Sequence, residues 1–307
     1  MSAKNWFKFI VLGLIWGSSF LWIKIALQEV DPFTLVMFRV GFAVLGLLVV
    51  FMIIRPKMRL KDLWVFAVLG FFNVAMPFVL ISWSEQHISS GMAAILNSTV
   101  PLFTILVAPL FLKEEGFSLM RVLGLLIGFA GVIVLMSNRL NEGDSLGTIG
   151  ILTMLIAACS YAGSGIFARK MSRGMRAESQ SLGQMGMALV FITPVALSVN
   201  SPFHFPTIPL TYISLIWLGL MGSCISTLLW FSLLNSVGPT RTSMTTYMFP
   251  LVGVLLGLIF LGEKLDWRLL VGGILVIAAV VLVNSQFKPK LRKLNEAPAE
   301  KLENENG

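Results

Sequence analysis

Charged residues are scarce in this 307-residue chain: Lys, Arg, Asp and Glu make up 12% of it, against about 25% in soluble domains. Charge this sparse cannot cover the surface of a soluble protein of this length, which excludes a cytosolic enzyme. Cysteine is almost absent, and Cys159 and Cys224 both lie inside apolar runs. We therefore expect two small core residues rather than a disulfide or a cysteine metal site.

Histidine is equally rare, and its scarcity limits the catalytic chemistry that this chain could perform. The chain has 2 histidines, His87 and His204, and it contains no HExxH or cysteine-rich metal motif. Neither histidine lies inside an apolar run, where it could activate a buried nucleophile. The sequence therefore predicts no enzyme activity, no metal and no cofactor.

Apolar residues, by contrast, are abundant, at 56% of the chain with a mean hydropathy of +0.86. A membrane-spanning helix needs about 20 residues, and the chain holds ten runs close to that length: 6–27, 33–54, 63–83, 91–112, 118–137, 147–168, 181–200, 211–234, 242–261 and 267–285. We predict an all-α integral membrane protein with ten transmembrane helices. The polar segment 286–307, rich in Lys, Glu, Asn and Pro, is predicted to be a disordered cytoplasmic tail.

The distribution of the net charge of +8 predicts the orientation. With the N-terminus inside, 18 Lys and Arg residues fall in cytoplasmic segments and 4 fall outside, while Arg39 lies within a span. Basic residues concentrate on the cytoplasmic side of membrane proteins, so both termini are predicted to be cytoplasmic. Because the basic residues lie in short loops between apolar runs, the positive charge does not indicate nucleic-acid binding.

An internal repeat divides the ten spans into two sets of five. A shift of 149 residues lays 62–134 over 211–283, and a shift of 145 pairs the opening spans. The rarer matches are Gly70 with Gly219, Pro101 with Pro250, Glu114 with Glu263, Trp16 with Tyr161 and Ser19 with Ser164. An odd number of spans inverts the second copy, so we predict two inverted five-helix repeats, 5–138 and 146–285, around a central cavity. Such repeats are typical of secondary transporters; the other interpretation is an old duplication kept only for packing.

Several motifs together resemble the drug/metabolite transporter superfamily, and most closely its EamA-type branch. They are Trp16-Gly17-Ser18-Ser19-Phe20 in the first span, Arg39 in the second, and the prolines at 101 and 250, each followed thirteen residues later by a glutamate. Where the family often has Gly-Glu after the fourth helix, this chain has Lys113-Glu114. The resemblance covers about residues 5–285.

This resemblance implies a monomeric ten-helix basket in a prokaryotic cytoplasmic membrane, with a central cavity lined mainly by helices 1, 3, 4, 6, 8 and 9. It also implies alternating-access transport of a small metabolite, such as an amino acid, and the branch includes bacterial exporters. The expected partners are this substrate and the lipid bilayer. A lipid flippase and a non-enzymatic channel remain as alternatives.

Candidate substrate-binding residues lie inside spans, where a polar side chain is costly unless it faces a cavity or another helix. They are Trp16, Ser19, Asn73, Asn97, Ser98, Tyr161, Ser164, Trp230, Thr246 and Tyr247. Pro101 and Pro250 are predicted to break helices 4 and 9 and to free backbone carbonyls there. Some of the neighbouring hydroxyl groups would then serve only to satisfy the broken backbone.

Four charged residues complete the candidate site. Arg39 could reach the outer surface, pair with a carboxylate such as Glu85, or contact a carboxylate substrate. Glu85, beside His87, could relay protons or line a solvated loop mouth. Glu114 and Glu263, at the ends of helices 4 and 9, are predicted to act as gates by pairing with neighbouring cations.

Overall fold

The computed structural model describes residues 2–56, 58–111, 119–142, 144–172, 174–201, 204–237, 242 and 244–285. The regular elements in these ranges are all helical. The predicted gate residue Glu114 and the predicted tail 286–307 lie outside the described residues.

The first half of the chain begins with α1 (Ala3–Ala26), α2 (Pro32–Ile54) and α3 (Leu60–His87). Two shorter helices follow, α4 (Ser90–Asn97) and α5 (Val100–Phe111), and then α6 (Leu119–Glu142). The second half holds α7 (Ser145–Met171) and α8 (Ala177–Val199). In α9, Pro209–Ile216, Trp217–Ile225 and Ser226–Val237 form one continuous helix. A 3-10 turn, Met244–Tyr247, leads into α10 (Met248–Leu261), and α11 is Trp267–Ser285.

Local sequence explains several of these helix starts. Asp31 caps α2, because its carboxylate accepts hydrogen bonds from the N–H groups of Phe33 (2.9 Å) and Thr34 (3.1 Å). Pro32 follows in the first turn, where its missing N–H costs nothing. Ser89 caps α4 and Asp144 caps α7 in the same way.

Within the part of the chain that the structure describes, six helices are long and apolar enough to cross a membrane: α1, α2, α3, α7, α8 and the Pro209–Leu233 part of α9. Shorter apolar helical stretches cover Val122–Ser137, Thr245–Leu261 and Trp267–Leu282. The predicted fourth span is two short helices, α4 and α5. The described part of the chain is therefore that of a helical membrane protein, and ten complete spans remain a prediction.

Residues brought together at the helix ends define two faces of the molecule. Near the start of α1, the Lys8 ammonium donates to the Ser232 hydroxyl of α9 at 2.6 Å, so this N-terminal face also holds the end of α9. At the other end of α1, the Lys24 ammonium donates to the carbonyl of Ile88, just after α3. We call this second side the far face. α1 and α9 therefore run antiparallel.

The helices pack in recurring pairs. α2 packs on α8, and α6 packs on α11. α1 packs on both α9 and α10, while α7 packs on both α3 and α5. α10 also contacts α4, which joins the two halves of the chain. Large apolar side chains such as Ile53, Leu126 and Ile259 remain exposed on the outside, as expected of a surface that faces lipid.

Among the described residues, two π-helical stretches interrupt the long helices, at Gly70–Ala75 in α3 and Trp217–Ile225 in α9. Each begins near a glycine that touches another helix's backbone. A Cβ on Gly70 would lie 2.8 Å from the carbonyl oxygen of Gln184, and a Cβ on Gly219 would lie 2.8 Å from that of Arg39. Only glycine allows this approach, and π-helical stretches often occur at functional sites.

One prediction about the core is wrong. Cys224 is buried as expected, but Cys159 is exposed on α7. An apolar run indicates that a helix enters the membrane. It does not fix which face of that helix points to the core, because every face is compatible with lipid.

Candidate functional site

Arg39 occupies a buried position on α2, with 5% of its surface exposed. Its Nε donates a hydrogen bond of 3.0 Å to the Ser223 hydroxyl in the π-helical stretch of α9. Its Cζ lies 3.8 Å from the centre of the Phe78 ring on α3, a cation–π contact. The side chain therefore does not extend to the surface, and no ion pair joins it to Glu85 within the described residues. We call Arg39, Ser223 and Phe78 the arginine cluster.

A second polar cluster connects α3, α7 and α8. The Ser164 hydroxyl donates to Asn73 Oδ1 at 2.8 Å, and Asn73 Nδ2 donates to Gln184 Oε1 at 3.2 Å. Asn73 lies in the π-helical stretch of α3. Ser164 and Gln184 are 4% exposed. We call these three residues the glutamine cluster.

Aromatic rings surround Trp16 on α1. Its indole N–H donates to the Gly222 carbonyl at 3.2 Å, and its ring centre lies 5.5 Å from that of Trp230 and 5.9 Å from that of Phe249. Ser19, one turn further on, is buried, and its hydroxyl donates to the carbonyl of Ile15 at 3.1 Å. The structure therefore places Trp16, Ser19 and Trp230 beside the π-helical stretch of α9.

Tyr161 and Glu85 both lie within electrostatic range of Arg39. Tyr161 is half-buried on α7, one turn before Ser164. Glu85, near the end of α3, is fully buried rather than solvated, and neither of its carboxylate oxygens has a hydrogen-bond partner among the described residues. The Lys24 ammonium instead donates to the backbone carbonyls of Glu85 and Ile88. The interpretation of Glu85 as part of a solvated mouth is wrong, because α1 covers the end of α3.

Glu263 connects the far-face ends of α10 and α4. Its carboxylate accepts hydrogen bonds from the backbone N–H groups of Ser90 (2.6 Å) and Gly91 (3.2 Å). The first turn of a helix carries free N–H groups and a partial positive charge, so a carboxylate is favoured there. Arg268, one of the neighbouring cations, pairs with Asp266 instead, at 3.3 Å. Among the described residues, Glu263 thus holds a helix end through backbone groups rather than through cations.

The residues near the two helix breaks are largely engaged locally. The hydroxyls of Ser98 and Thr99 donate to the carbonyls of Ile95 and Leu96, each at 2.6 Å, where α4 ends. Pro101 is the second residue of α5, after this break, and within the described ranges the buried amide oxygen of Asn97 has no hydrogen-bond partner.

At the corresponding break before α10, Thr246 and Tyr247 end the 3-10 turn and are half-buried. The Tyr247 hydroxyl donates to the Val280 carbonyl of α11 at 3.0 Å. Pro250 is the third residue of α10 and is buried. Both prolines therefore lie in a first turn, where no helical N–H is lost.

A cleft of about 310 Å³ lies away from both clusters. It opens between the end of α2, the start of α8 and the end of α9, near the N-terminal face, and is lined by Val50, Ile54, Ala177, Glu178, Leu228, Phe231 and Ser232. None of the predicted substrate-binding residues lines it. The described residues contain no group of three or more His, Cys, Asp or Glu side chains that could hold a metal ion.

The sequence analysis did not identify Gln184 or Ser223 as site residues. Gln184 binds Asn73 in the π-helical stretch of α3, and Ser223 belongs to the π-helical stretch of α9. Gln184 carried a signal, because the 145-residue shift that pairs Ser19 with Ser164 also pairs Arg39 with Gln184. Ser223 carried none, since serine is common in spans and its equivalent under the 149-residue shift is Val74.

Comparison with known proteins gives a consistent result. The profile of the EamA-like transporter family matches residues 6–137 and again 148–285. The uncharacterized inner membrane transporter YedA of Escherichia coli K12 is 28% identical over 284 residues, which cover 90% of this chain and 89% of YedA. A probable amino-acid metabolite efflux pump of Salmonella typhimurium LT2 is 27% identical over 92% of this chain and 95% of its own. One solved crystal structure has the same fold, with a TM-score of 0.62 at 17% identity over 92% of this chain and 96% of that chain.

Proposed function

The chain belongs to the EamA-like transporter family, and on this basis we propose that it exports a small carboxylate-bearing metabolite, an amino acid or a similar amphipathic compound, across the cytoplasmic membrane. Among its relatives, the Salmonella protein is named as a probable amino-acid metabolite efflux pump. Transport, rather than an enzymatic reaction, is what the family and the named relatives have in common.

The incomplete hydrogen bonding of Arg39 is the observation that supports a carboxylate-bearing substrate. Its guanidinium has five N–H donors, but among the described residues it makes a single hydrogen bond, through Nε to Ser223. A buried cation with unused donors is unfavourable unless an anion or water completes its bonding. The planar Nη fork fits the two oxygens of a carboxylate.

The surroundings of Arg39 suit the rest of an amphipathic molecule. Phe78 lies against the guanidinium, and the aromatic side chains of Trp16 and Tyr161 come from α1 and α7. Such rings contact apolar groups and ammonium groups equally well. Glu85 is buried, has no hydrogen-bond partner among the described residues and lies within electrostatic range of Arg39, so its carboxyl group can accept a hydrogen bond from an ammonium group.

We propose that transport proceeds by alternating access of two inverted repeats, with both termini cytoplasmic. The paired packing supports this: α2 contacts α8, α6 contacts α11, and the contacts of α1 with α9 and α10 match those of α7 with α3 and α5. Under this proposal the far face is the outer face, and Glu263 holds it closed by binding the start of α4.

The test is reconstitution of the purified protein in liposomes with a panel of labelled L-amino acids, each measured with and without a pH gradient. For each transported compound, the matching amino-acid amide is measured beside it. We expect Arg39→Gln to weaken the apparent affinity for the amino acid about ten- to a hundredfold, since a hydrogen bond to a charged group contributes about 1.5–3 kcal/mol. The amide should be affected little, and Lys264→Gln, at an exposed site near the far face, serves as the control.

Two results would contradict the proposal. Transport of no panel member by the parent protein would refute the substrate class. An unchanged preference for the carboxylate form in Arg39→Gln would remove Arg39 from the site.

A further inference from the structure

We infer that Gln184 is a second substrate-binding residue. Its side-chain amide donates a hydrogen bond to a carboxylate or carbonyl oxygen of the substrate, and it lies in the half of the transport pathway opposite to the half that holds Arg39. This inference rests on the transport function proposed above and extends the site to a residue on α8.

The first support is that α3 and α9 contact their neighbours in the same way. A Cβ on Gly70 would lie 2.8 Å from Gln184 O, 2.8 Å from Met187 Cβ and 2.9 Å from Ala188 N. On Gly219 it would lie 2.8 Å from Arg39 O, 2.4 Å from Phe42 Cβ and 3.3 Å from Ala43 N. Each neighbour of Gly70 is 145 residues after the corresponding neighbour of Gly219. Gln184 therefore occupies on α8 the place that Arg39 occupies on α2.

The second support is that both side chains hold a π-helical stretch through one atom. Arg39 donates through Nε to Ser223, and Gln184 accepts through Oε1 from Asn73. Ser223 belongs to the π-helical stretch of α9 and Asn73 to that of α3. A helix gives up its usual hydrogen-bond pattern at such a stretch, and π-helical stretches occur frequently at functional sites.

The third support is the unused end of each side chain. Among the described residues, the Arg39 Nη groups have no hydrogen-bond partner, and one end of the Gln184 amide has none, whichever amide atom faces Asn73. Gln184 is 4% exposed, but its unpaired amide end is not among the fully buried side-chain atoms that lack a partner, so it borders an accessible space. A polar group of a bound molecule in this space would supply the missing bond.

The position of Gln184 along its helix assigns it to the other half of the pathway. Arg39 lies seven residues after Pro32, and Gln184 lies seven residues after Ala177, about 10 Å from the start of each helix. α2 and α8 run antiparallel, since the end of α2 and the start of α8 line the same cleft. The two free donors therefore lie at similar depths from opposite faces. A substrate carboxylate would meet Gln184 from the N-terminal face and Arg39 from the far face.

The difference between the two residues predicts unequal affinities. Arg39 offers a full positive charge and two parallel N–H groups, whereas Gln184 offers a neutral amide. Charge-assisted hydrogen bonds are roughly twice as strong as neutral ones. We therefore expect the carboxylate to bind more weakly from the N-terminal face than from the far face.

The discriminating variant is Gln184→Glu, because its carboxylate can still accept the hydrogen bond from Asn73 while it repels a substrate carboxylate. The probes are an L-amino acid that the parent transports in the liposome panel, and the matching amide. We expect the apparent affinity for the amino acid, measured from the N-terminal face, to fall at least tenfold, with the amide nearly unaffected. Gln180→Glu, one turn earlier on α8 and also buried, is the matched control for placing a carboxylate on this helix.

A purely structural role for Gln184 predicts that Gln184→Glu transports the amino acid with the parent's affinity, and that result overturns the inference. If the variant melts at a lower temperature, Gln184→Met provides the measurement, because it removes the free amide end and keeps the length of the side chain. An unchanged affinity in Gln184→Met likewise overturns the inference. Failure of the parent protein to transport any amino acid would refute the proposed function itself, and the two failures are thereby distinguished.

Discussion

The Glu263 carboxylate accepts a 2.6 Å hydrogen bond from the backbone N–H of Ser90, a residue 173 positions earlier in the chain. Since Ser90 begins α4 and Glu263 follows α10, this contact links the start of the predicted fourth span to the end of the predicted ninth span. Gly257 makes room for it, because a Cβ there would lie 2.4 Å from Glu263 Oε2.

Disrupting this contact should destabilise the far face. We expect Glu263→Ala to lower the stability of the protein by about 1.5–3 kcal/mol, the usual contribution of a hydrogen bond to a charged group. Gly257→Ala should have a similar effect by displacing the carboxylate. The measurement is the melting temperature in detergent, with Lys264→Ala at the exposed neighbouring position as the control. Because both changes affect one contact, the double variant should lose less than the sum of the single losses; strict additivity would argue against a shared contact.

The glycines at the π-helical stretches should tolerate no side chain. Gly70→Ala and Gly219→Ala each place a methyl group 2.8 Å from a backbone oxygen that cannot move aside. We expect each to cost about 1–3 kcal/mol of stability, as overpacking usually does, and to reduce transport. Gly186→Ala, on α8 with nothing within 4 Å of its Cβ, should be neutral or slightly stabilising. Equal effects of all three changes in thermal melts would show that the close approach is not what requires glycine.

The hydrogen bonds of the Glu29 carboxylate predict that the folded state loses stability at the far face in acid. A hydrogen bond from the Thr211 side chain, then bonds from Thr207 and Ile208 at the start of α9, lower the pKa of Glu29 from 4.5 to about 2. Since the folded pKa lies below the ordinary value, ionised Glu29 stabilises the folded state above about pH 4.5, and this contribution is lost as the pH falls towards 2. Glu29→Gln should therefore flatten the pH dependence of the melting temperature in that window, whereas Gln28→Ala, at the exposed preceding residue, should not. A parental pH profile in Glu29→Gln would show that this carboxylate contributes nothing.

Substitutions of Asn97 and Tyr247 distinguish a role in substrate binding from a role in packing. Asn97→Ala removes a buried amide oxygen that has no partner among the described residues, so we expect transport to fall much more than membrane expression or melting temperature. Tyr247→Phe removes the hydrogen bond to Val280, so a loss of about 1 kcal/mol in stability should accompany any loss of transport. Initial rates and thermal melts on the same purified samples check both. Unchanged substrate affinity in both variants would remove these residues from the binding site.

The predicted orientation is tested by reporter fusions. A reporter after Gly307 or within 169–178 should report the cytoplasm, and one within 140–146 should report the outside, because the basic residues divide 18 to 4. An external C-terminus would mean that the number of spans is wrong, and the inverted repeat would fall with it.

The sequence alone determined the class of the protein and much of its local structure. Hydropathy is a sum over neighbouring residues, so a membrane protein made of helices could be predicted from composition and run length. The caps at Asp31 and Asp144 and the positions of Pro101 and Pro250 are equally local, since a helix terminus depends on the few residues beside it. The family too could be recognised from the order and spacing of short motifs.

Only the tertiary structure decided which polar side chains meet. Glu85 is buried because α1 covers the end of α3, Glu263 binds the start of α4 rather than a cation, and Gln184 reaches Asn73 across 111 positions of sequence. These contacts depend on how each helix is rotated about its axis and which neighbour it packs against. Almost every face of a membrane helix is apolar, so no amphipathic pattern fixes that rotation, and the few polar contacts appear only once the helices are packed.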